Sequence, residues 1–176
     1  MKVYLGFGSN IDPVVSIQAG LDALQAVEPY FQTSSVYQSD SVGFVGDPFL
    51  NLVVALETRL TLEVLHQRLR EIEFRFGRSE QPARNSSRRL DIDILLYADC
   101  VGHFGFVELP RPEIHYNAFV LKPLSELAPG LALPNTDITV GELWERFDQT
   151  KQPLHKVAFV YRGALLPASF SDVVNH

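Results

Sequence analysis

Two aspartates with the spacing of neighbouring ligands lie near the middle of the chain. Asp91 and Asp93 are two positions apart in a segment that alternates like a strand and then becomes continuously apolar. Their side chains should share one face of the strand, with Cα atoms roughly 6 to 7 Å apart. Two carboxylates on one face are unfavourable unless a cation lies between them, and Mg²⁺ prefers one or two carboxylates plus water and phosphate oxygens. An ordinary solvent-facing strand is the alternative for this pair.

A cluster of arginines directly precedes the aspartates. Of the 15 basic residues in the chain, seven lie between positions 68 and 89, and all seven are arginine: Arg68, Arg70, Arg75, Arg78, Arg84, Arg88 and Arg89. Guanidinium groups suit bidentate binding of phosphate, although those on a helix could equally form ion pairs on a solvated face. Arginine density beside paired aspartates favours a site for a nucleotide with Mg²⁺.

Several other chemistries are excluded by what the sequence lacks. There is no P-loop, and Gly6-x-Gly8 lacks the third glycine of a dinucleotide fingerprint. Cys100 is the only cysteine, which excludes an intrachain disulfide and a Cys-rich zinc site. The net charge of -6 argues against partners such as nucleic acid or an anionic membrane.

The elements that must position the aspartates and arginines follow the order β-α-β-β-α-β. Asp12 is the expected N-cap of the first helix, and Gly77 the expected C-terminal cap of the second, which begins at Thr61. This order predicts an α/β (α+β) fold of the ferredoxin-like type, with a mostly antiparallel sheet and C-terminal additions. The strand patterns cover Val3 to Phe7, Thr33 to Tyr37, Phe49 to Leu56 and Leu90 to Tyr97, and short helices are expected near Ala118 to Leu127 and Gly141 to Phe147.

The length of 176 residues predicts a single domain over 1–176, of which 150–176 could be a C-terminal extension. No segment approaches the roughly 18 uninterrupted apolar residues of a membrane-spanning helix, and the N-terminus lacks a signal-peptide core. With a lone cysteine, these features lead us to expect a cytoplasmic protein. We further expect a monomer that binds neither nucleic acid nor a membrane.

Five groups of residues occur in an order typical of one enzyme family. They are Tyr4-Leu5-Gly6-Phe7-Gly8-Ser9-Asn10-Ile11, Ser35-Val36-Tyr37-x-Ser39, Phe49-Leu50-Asn51, Arg88-x-Leu90-Asp91-Ile92-Asp93-Ile94-Leu95, and Leu109-Pro110-x-Pro112 followed by Phe119-Val120-Leu121-x-Pro123-Leu124. In these motifs the chain resembles the 6-hydroxymethyl-7,8-dihydropterin pyrophosphokinase family of the folate pathway. The resemblance implies transfer of the intact β,γ-pyrophosphoryl group of ATP to the pterin hydroxymethyl group, with release of AMP.

The resemblance also implies roles around ATP. Asp91 and Asp93 would bind two Mg²⁺ ions that bridge the phosphates, and Asp93 would be catalytic. Arg78 and Arg88 would be catalytic residues on a mobile loop that contacts the phosphates. Further positions near the nucleotide would be Arg70, Glu73, Arg84, Ile94, Arg111 and Pro112.

The pterin would lie on the other side of the site. Asn51 would hydrogen-bond the pterin edge and Phe119 would stack on the bicyclic ring, roles that suit an amide and an aromatic face. The pocket would be completed by Ser39, Val42, Gly43 and Phe49. Considered without the resemblance, Phe49 and Phe119 could be ordinary core aromatics.

Four positions depart from the usual pattern of the family. Asn85 stands where an aromatic residue usually covers the pterin, and Glu80 stands where a basic residue is common. Arg111 replaces a common histidine, and Asn117 replaces a frequent arginine. Together these changes thin the positive charge over the triphosphate, which leaves lower activity or a shifted substrate open.

Two other functions stay open. A paralogue with this fold could bind pterin or nucleotide with little turnover. A nucleotidyltransferase also pairs a Gly-Ser turn with Asp-x-Asp and two metals. The products separate these readings, because pyrophosphoryl transfer releases AMP and nucleotidyl transfer releases free pyrophosphate.

Overall fold

The computed structural model of the chain describes residues 1–40, 46–77 and 89–171. The strands in these ranges are β1 (Lys2–Ser9), β2 (Phe31–Thr33), β3 (Val36–Ser39), β4 (Phe49–Glu57), β5 (Asp91–Tyr97), β6 (Gly102–His103), β7 (Glu108–Leu109), β8 (His155–Val157), β9 (Val160–Tyr161), β10 (Ala164–Leu165) and β11 (Ser169–Phe170). The helices are α1 (Pro13–Val27), α2 (Leu62–Arg75), α3 (Ala118–Leu127) and α4 (Val140–Arg146), with a 3₁₀ helix at Pro112–His115. None of the helices in the described ranges has the length and apolar character needed to cross a membrane.

The main sheet places β1 between β4 and β5, and both pairings are antiparallel. β2 and β3 both pair with β4, again antiparallel. Since α1 connects β1 to β2, and α2 connects β4 to β5, this is the β-α-β-β-α-β arrangement of the split βαβ motif. The predicted α/β fold with an antiparallel sheet is confirmed.

The predicted strand from Thr33 to Tyr37 is divided in two at a pair of serines. The backbone N–H of Ser34 donates to the carbonyl of Val53 at 2.9 Å, and the Ser34 hydroxyl accepts from the N–H of Val53 at 2.9 Å. The same hydroxyl donates to the carbonyl oxygen of Ser35 at 2.8 Å. Serine side chains can replace ladder hydrogen bonds in this way, so the strand is interrupted there.

The two main helices begin and end close to the predicted residues. The Thr61 hydroxyl caps α2 by accepting from the N–H of Val64 at 3.3 Å, and Gly77 follows the helix with a φ of +83°. Asp12 directly precedes α1 as predicted, but the expected side-chain cap was wrong: within the described residues its carboxylate does not cap the helix. That carboxylate lies 3.4 Å from Arg89 instead.

Apolar side chains pack on both faces of the sheet. One cluster lies beneath α1 and α2, and the other lies beneath α3 and α4. Alternation along β5 sends Ile92 and Ile94 into the first cluster, but Leu96 belongs to the second. The cause is a register shift between Tyr4 and Leu5 of β1. Because of this shift, the side chain of Leu96 does not lie on the same face as that of Ile94, as simple alternation would require.

The C-terminal segment adds strands to the sheet. β8 pairs with β3, β11 pairs with β2, and β9 and β10 form a hairpin. Phe159, Tyr161 and Leu166 are buried in the first cluster, and the Tyr161 hydroxyl donates to Asp22 Oδ1 at 2.7 Å. The apolar run Val157 to Tyr161 therefore packs against the body of the protein.

Candidate active site

The strand register brings the paired aspartates, two glycines and Asn51 onto one face of the sheet. Gly8 of β1 lies opposite Asp91 on one side and opposite Asn51 on the other, while Gly6 lies opposite Asp93. Adjacent strands are about 4.8 Å apart, so the backbones at Asn51 and Asp91 are about 10 Å apart across Gly8. Because Gly8 has no side chain, the sheet surface between Asn51 and Asp91 is open, and we call this surface the Gly8 floor.

Gly8 keeps that floor open. A Cβ built at Gly8 would lie 3.5 Å from Asn51 Oδ1 and 3.8 Å from Phe49 Cδ1, so it would occupy the space in front of both side chains. The sequence did contain a signal for this, because glycine inside a strand often marks the close approach of a ligand.

Asp93 lies in a strongly negative environment. Burial raises its pKa to about 8, with further contributions from the charges of Asp91, Glu73 and Glu113, while Arg111 opposes the shift. The Asp93 side chain keeps 34% of its surface exposed, so it remains reachable. A carboxyl group in such surroundings is stabilised in its charged form by an added cation.

Glu73 fixes the strand that carries the aspartates. It extends from α2, and its Oε1 accepts from the backbone N–H of Ile92, between Asp91 and Asp93, at 2.9 Å. Its Oε2 lies 3.7 Å from Arg70 Nη1, and its side chain is only 1% exposed. Glu73 therefore lies beside the aspartate pair and acts on the backbone of β5, with Arg70 next to Glu73, while their predicted place near the nucleotide stays a prediction.

Arg111 approaches the pair from the segment after β7. Its Nη2 lies 3.5 Å from Asp93 Oδ1, and its Nε lies 3.1 Å from Glu113 Oε2. Its backbone N–H donates to the carbonyl of Leu95 at 2.9 Å, and Pro112 then begins the 3₁₀ helix. Glu113 was not singled out in the sequence, where nothing indicated that it would lie near Asp93.

Residues predicted to surround the pterin occupy the β3–β4 side of the same face. Asn51 is buried, and its Nδ2 donates to Ser39 Oγ at 2.8 Å and to the carbonyl of Tyr37 at 3.2 Å. These bonds orient the amide so that Oδ1 faces the Gly8 floor. Phe49 lies opposite Ser39, and Phe119 is in the first turn of α3, half-buried against the second cluster.

One predicted residue within the described ranges, Ile94, directs its side chain away from this face. Ile94 is buried in the first cluster on the opposite face, because successive strand side chains alternate, so only its backbone borders the site. Five predicted residues lie outside the described ranges: Val42, Gly43, Arg78, Arg84 and Arg88.

The described residues fit a divalent ion that is shared with a phosphate ligand. No group of three or more His, Cys, Asp or Glu within the described ranges could enclose a metal alone. Asp91 and Asp93 instead offer two carboxylates beside an open floor. That matches Mg²⁺, which takes one or two carboxylates and completes its octahedron with water and phosphate oxygens.

Comparison with known proteins gives one consistent result. Residues 4–129 match the family described as 7,8-dihydro-6-hydroxymethylpterin-pyrophosphokinase. The chain is 38% identical to the 2-amino-4-hydroxy-6-hydroxymethyldihydropteridine pyrophosphokinase of Pseudomonas aeruginosa, over 76% of this chain and 85% of that protein. It is 35% identical to the enzyme of the same name from Haemophilus influenzae, over 86% of this chain and 96% of that protein.

A longer protein is also similar in sequence, and a solved structure is similar in fold. The folic acid synthesis protein fol1 of Schizosaccharomyces pombe is 32% identical over 96% of this chain, which spans 25% of that protein. The crystal structure of Plasmodium falciparum HPPK-DHPS shares the fold, with a TM-score of 0.61 and 14% identity over 85% of this chain and 44% of that one. The chain belongs to the 7,8-dihydro-6-hydroxymethylpterin-pyrophosphokinase family.

Proposed function

We propose that this protein transfers the β,γ-pyrophosphoryl group of ATP to 6-hydroxymethyl-7,8-dihydropterin and releases AMP, a step of folate biosynthesis. Membership of a pyrophosphokinase family supports the activity. The observation that carries it to this chain is the open floor at Gly8, with Asp91 on one side and Asn51 on the other. The floor has a carboxylate side for phosphates and an amide and aromatic side for a planar ring.

The pterin occupies the Asn51 side. The two bonds donated by the Asn51 Nδ2 hold the amide rigidly, which leaves Oδ1 directed at the floor as an acceptor for ring N–H groups. Phe49 and Phe119 provide aromatic surface, and Ser39 fixes the amide. The resemblance to the family assigns Val42 and Gly43 to the same pocket.

The nucleotide phosphates occupy the Asp91 and Asp93 side. Two Mg²⁺ ions, when bound there, would neutralise the phosphates and polarise the group that is transferred. Glu73 holds β5 in place through Ile92, and Arg70 and Arg111 add positive charge beside the carboxylates. The segment around Ile94 and Pro112 borders the nucleotide, and Arg78, Arg84 and Arg88 are assigned to the phosphates from their position in the sequence.

The reaction exchanges one phosphorus–oxygen bond for another. The pterin hydroxyl oxygen attacks the β-phosphorus and loses its proton to solvent. The bond between the β-phosphorus and the α,β-bridging oxygen breaks, and the electron pair leaves with AMP. The residues of the chain hold both substrates in line and stabilise the charge of the transferring group.

We also propose that the chain acts as one domain and as a monomer in the cytoplasm, without nucleic acid or membrane partners. The net charge of -6 supports the absence of nucleic acid and anionic membrane partners, and the single cysteine supports a reducing compartment. Light scattering of the purified protein at assay concentration would give the mass of one chain, and a dimer mass would refute the monomer.

The activity is tested with purified protein, Mg²⁺, ATP and 6-hydroxymethyl-7,8-dihydropterin. We expect AMP only when the pterin is present, and loss of AMP formation in Asp93→Ala. The exposed Asp99, on the turn after β5, provides the matched control Asp99→Ala, which should retain the wild-type rate. Free pyrophosphate would identify a nucleotidyltransferase, and binding of both substrates without AMP would identify an inactive paralogue.

A further inference from the structure

Arg111 is held against the aspartate pair by two contacts and by its own backbone. Its guanidinium lies between Asp93 Oδ1, at 3.5 Å from Nη2, and Glu113 Oε2, at 3.1 Å from Nε. The backbone bond from Arg111 to the carbonyl of Leu95 keeps the residue beside β5. With the side chain only 29% exposed, both contacts are partly shielded from water.

The charge of Arg111 is secure in this position. Burial opposes a charged guanidinium, but the carboxylates of Asp93, Glu113 and Asp91 outweigh burial and raise its pKa above the ordinary value. Arginine is in any case permanently charged in proteins. The aspartate pair therefore has a positive neighbour that belongs to the chain itself.

We propose that Arg111 is a placeholder cation that compensates part of the Asp93 charge before ligands bind and turns to the nucleotide phosphates when the metal and nucleotide bind together. The inference rests on the proposed function and gives a site residue a second role. A metal ion at Asp93 would be repelled by a guanidinium already next to the same oxygen atom. A triphosphate instead offers oxygens that the guanidinium binds bidentately. The metal alone should therefore bind poorly, and the metal with nucleotide should bind well.

The test measures metal binding without catalysis. Mn²⁺ replaces Mg²⁺ as the probe, and free Mn²⁺ is followed by electron paramagnetic resonance in wild type, Arg111→Gln and Arg111→Lys. Each variant is titrated with Mn²⁺ at several pH values, because loss of the Arg111 charge raises the pKa of Asp93 and increases competition by protons. We expect Arg111→Gln to bind Mn²⁺ about tenfold more tightly in the absence of nucleotide, because one nearby like charge is gone. Arg111→Lys keeps the charge and should stay close to wild type.

A second measurement determines the affinity, in the presence of Mg²⁺, for the α,β-methylene analogue of ATP. This analogue cannot release AMP. Arg111→Gln should bind this analogue about tenfold more weakly, since a charged partner of the phosphates is lost. The change is thus opposite in sign to that for Mn²⁺ alone, and a residue that only supports the fold would not produce that reversal. Arg111→Met gives a second neutral variant with the same expected directions if Arg111→Gln does not fold.

Arg59→Gln is the matched control. Arg59 is exposed and follows the end of β4 where Glu57 pairs with Lys2, at the far end of the sheet from Gly8. The Arg59→Gln substitution removes the same charge as Arg111→Gln and should change neither the Mn²⁺ affinity nor the affinity for the ATP analogue. Mn²⁺ affinity that is unchanged or weaker in Arg111→Gln would overturn the inference. Failure of the proposed function is seen separately, as a wild-type protein that forms no AMP.

Discussion

The Asp93 carboxyl group lies where the folded chain disfavours its charge, which suits the cation-binding role proposed for it. Burial and the neighbouring carboxylates raise its pKa to about 8, and the single guanidinium of Arg111 does not cancel them. An uncharged residue of the same shape would suit the metal-free fold better. The proposed metal-binding role and stability therefore make opposite demands on this position, as function and stability often do at active sites.

Asp93→Asn should separate the two demands. In EDTA the variant should unfold at a higher temperature than wild type, because the repulsion among the carboxylates is relieved, with roughly 2–4 °C for each kcal/mol gained. With Mg²⁺, ATP and pterin, AMP formation should fall by about three orders of magnitude, because several kcal/mol of metal stabilisation are lost. Asp99→Asn should change neither quantity. A rate within tenfold of wild type would contradict the role of Asp93.

Gly8→Ala should impair binding without harming the fold. The added methyl group would make ordinary contacts, at 3.5 Å to Asn51 Oδ1 and 3.8 Å to Phe49 Cδ1, so it fits the free protein but covers the floor. We expect a KM for the pterin that is higher by about tenfold, equivalent to about 1.4 kcal/mol of binding. Gly130→Ala, where the methyl group meets nothing described within 4 Å, is the control. An unchanged KM would mean that the pterin does not reach Gly8.

The aspartate pair was predictable from the local sequence, but the side-chain contacts that other parts of the chain make with it were not. Side chains two apart on a strand share a face whatever the rest of the chain does, so Asp91 and Asp93 were identified locally. The contact of Arg111 with Asp93 depends on how the chain returns to β5 after β7, and no local pattern encodes that. Glu113 was missed for the same reason.

At the scale of elements, one carboxylate joins α3 to β3. Glu126 accepts from the backbone N–H and hydroxyl of Ser35, at 3.1 and 2.6 Å, and from the Tyr37 hydroxyl at 2.9 Å. Burial, together with the hydrogen bond and charge of Glu126, raises the pKa of Tyr37, so its hydroxyl stays protonated and donates. Since α3 carries Phe119 and β3 carries Ser39, this contact fixes the spacing of two predicted pterin residues.

Glu126→Gln should weaken that contact and alter the site at a distance. The free energy of unfolding should fall by about 2 kcal/mol, because charge-assisted hydrogen bonds become neutral ones. The KM for the pterin should rise more than the KM for ATP, because only the pterin side contains both elements. Glu145→Gln on the exposed side of α4 is the control. A KM for the pterin that stays at the wild-type value would show that Glu126 serves stability alone.

Elements that depend on local periodicity were predicted well. The apolar spacing, Thr61 and Gly77 fixed α2, and the pattern from Ala118 to Leu127 matched α3 to the residue despite Pro123 within it. The break in the β2–β3 strand was not predicted, because it depends on a hydrogen bond between Ser34 and the distant Val53. Short strands such as β8 and β11 were missed because their pairing partners are more than 100 residues away.

At the scale of the whole molecule, the C-terminal segment contacts the rest of the protein through strand pairing, buried side chains and hydrogen bonds. It adds β8 and β11 to the sheet edge formed by β3 and β2, and it contributes buried side chains beneath α1. Hydrogen bonds also join α1 to this segment: the side chain of Gln18 donates to the carbonyl of Val160 and that of Gln25 to the carbonyl of Ser171, both at 2.9 Å. Because the family match ends at residue 129, the family motifs could not predict how the C-terminal segment packs.

Two neighbouring residues test whether the C-terminal segment folds with the rest of the chain. Phe159 is 3% exposed within the first cluster, whereas Val160 is 52% exposed. Phe159→Ala should lower the free energy of unfolding by about 3–5 kcal/mol through the cavity it leaves, and Val160→Ala by less than about 0.5 kcal/mol. Urea unfolding followed by far-ultraviolet circular dichroism and by Trp144 fluorescence should show one shared transition that shifts as a whole in Phe159→Ala. Two separate transitions, with only one shifted, would mean that the segment is an independent unit and that residues 1–176 are not a single domain.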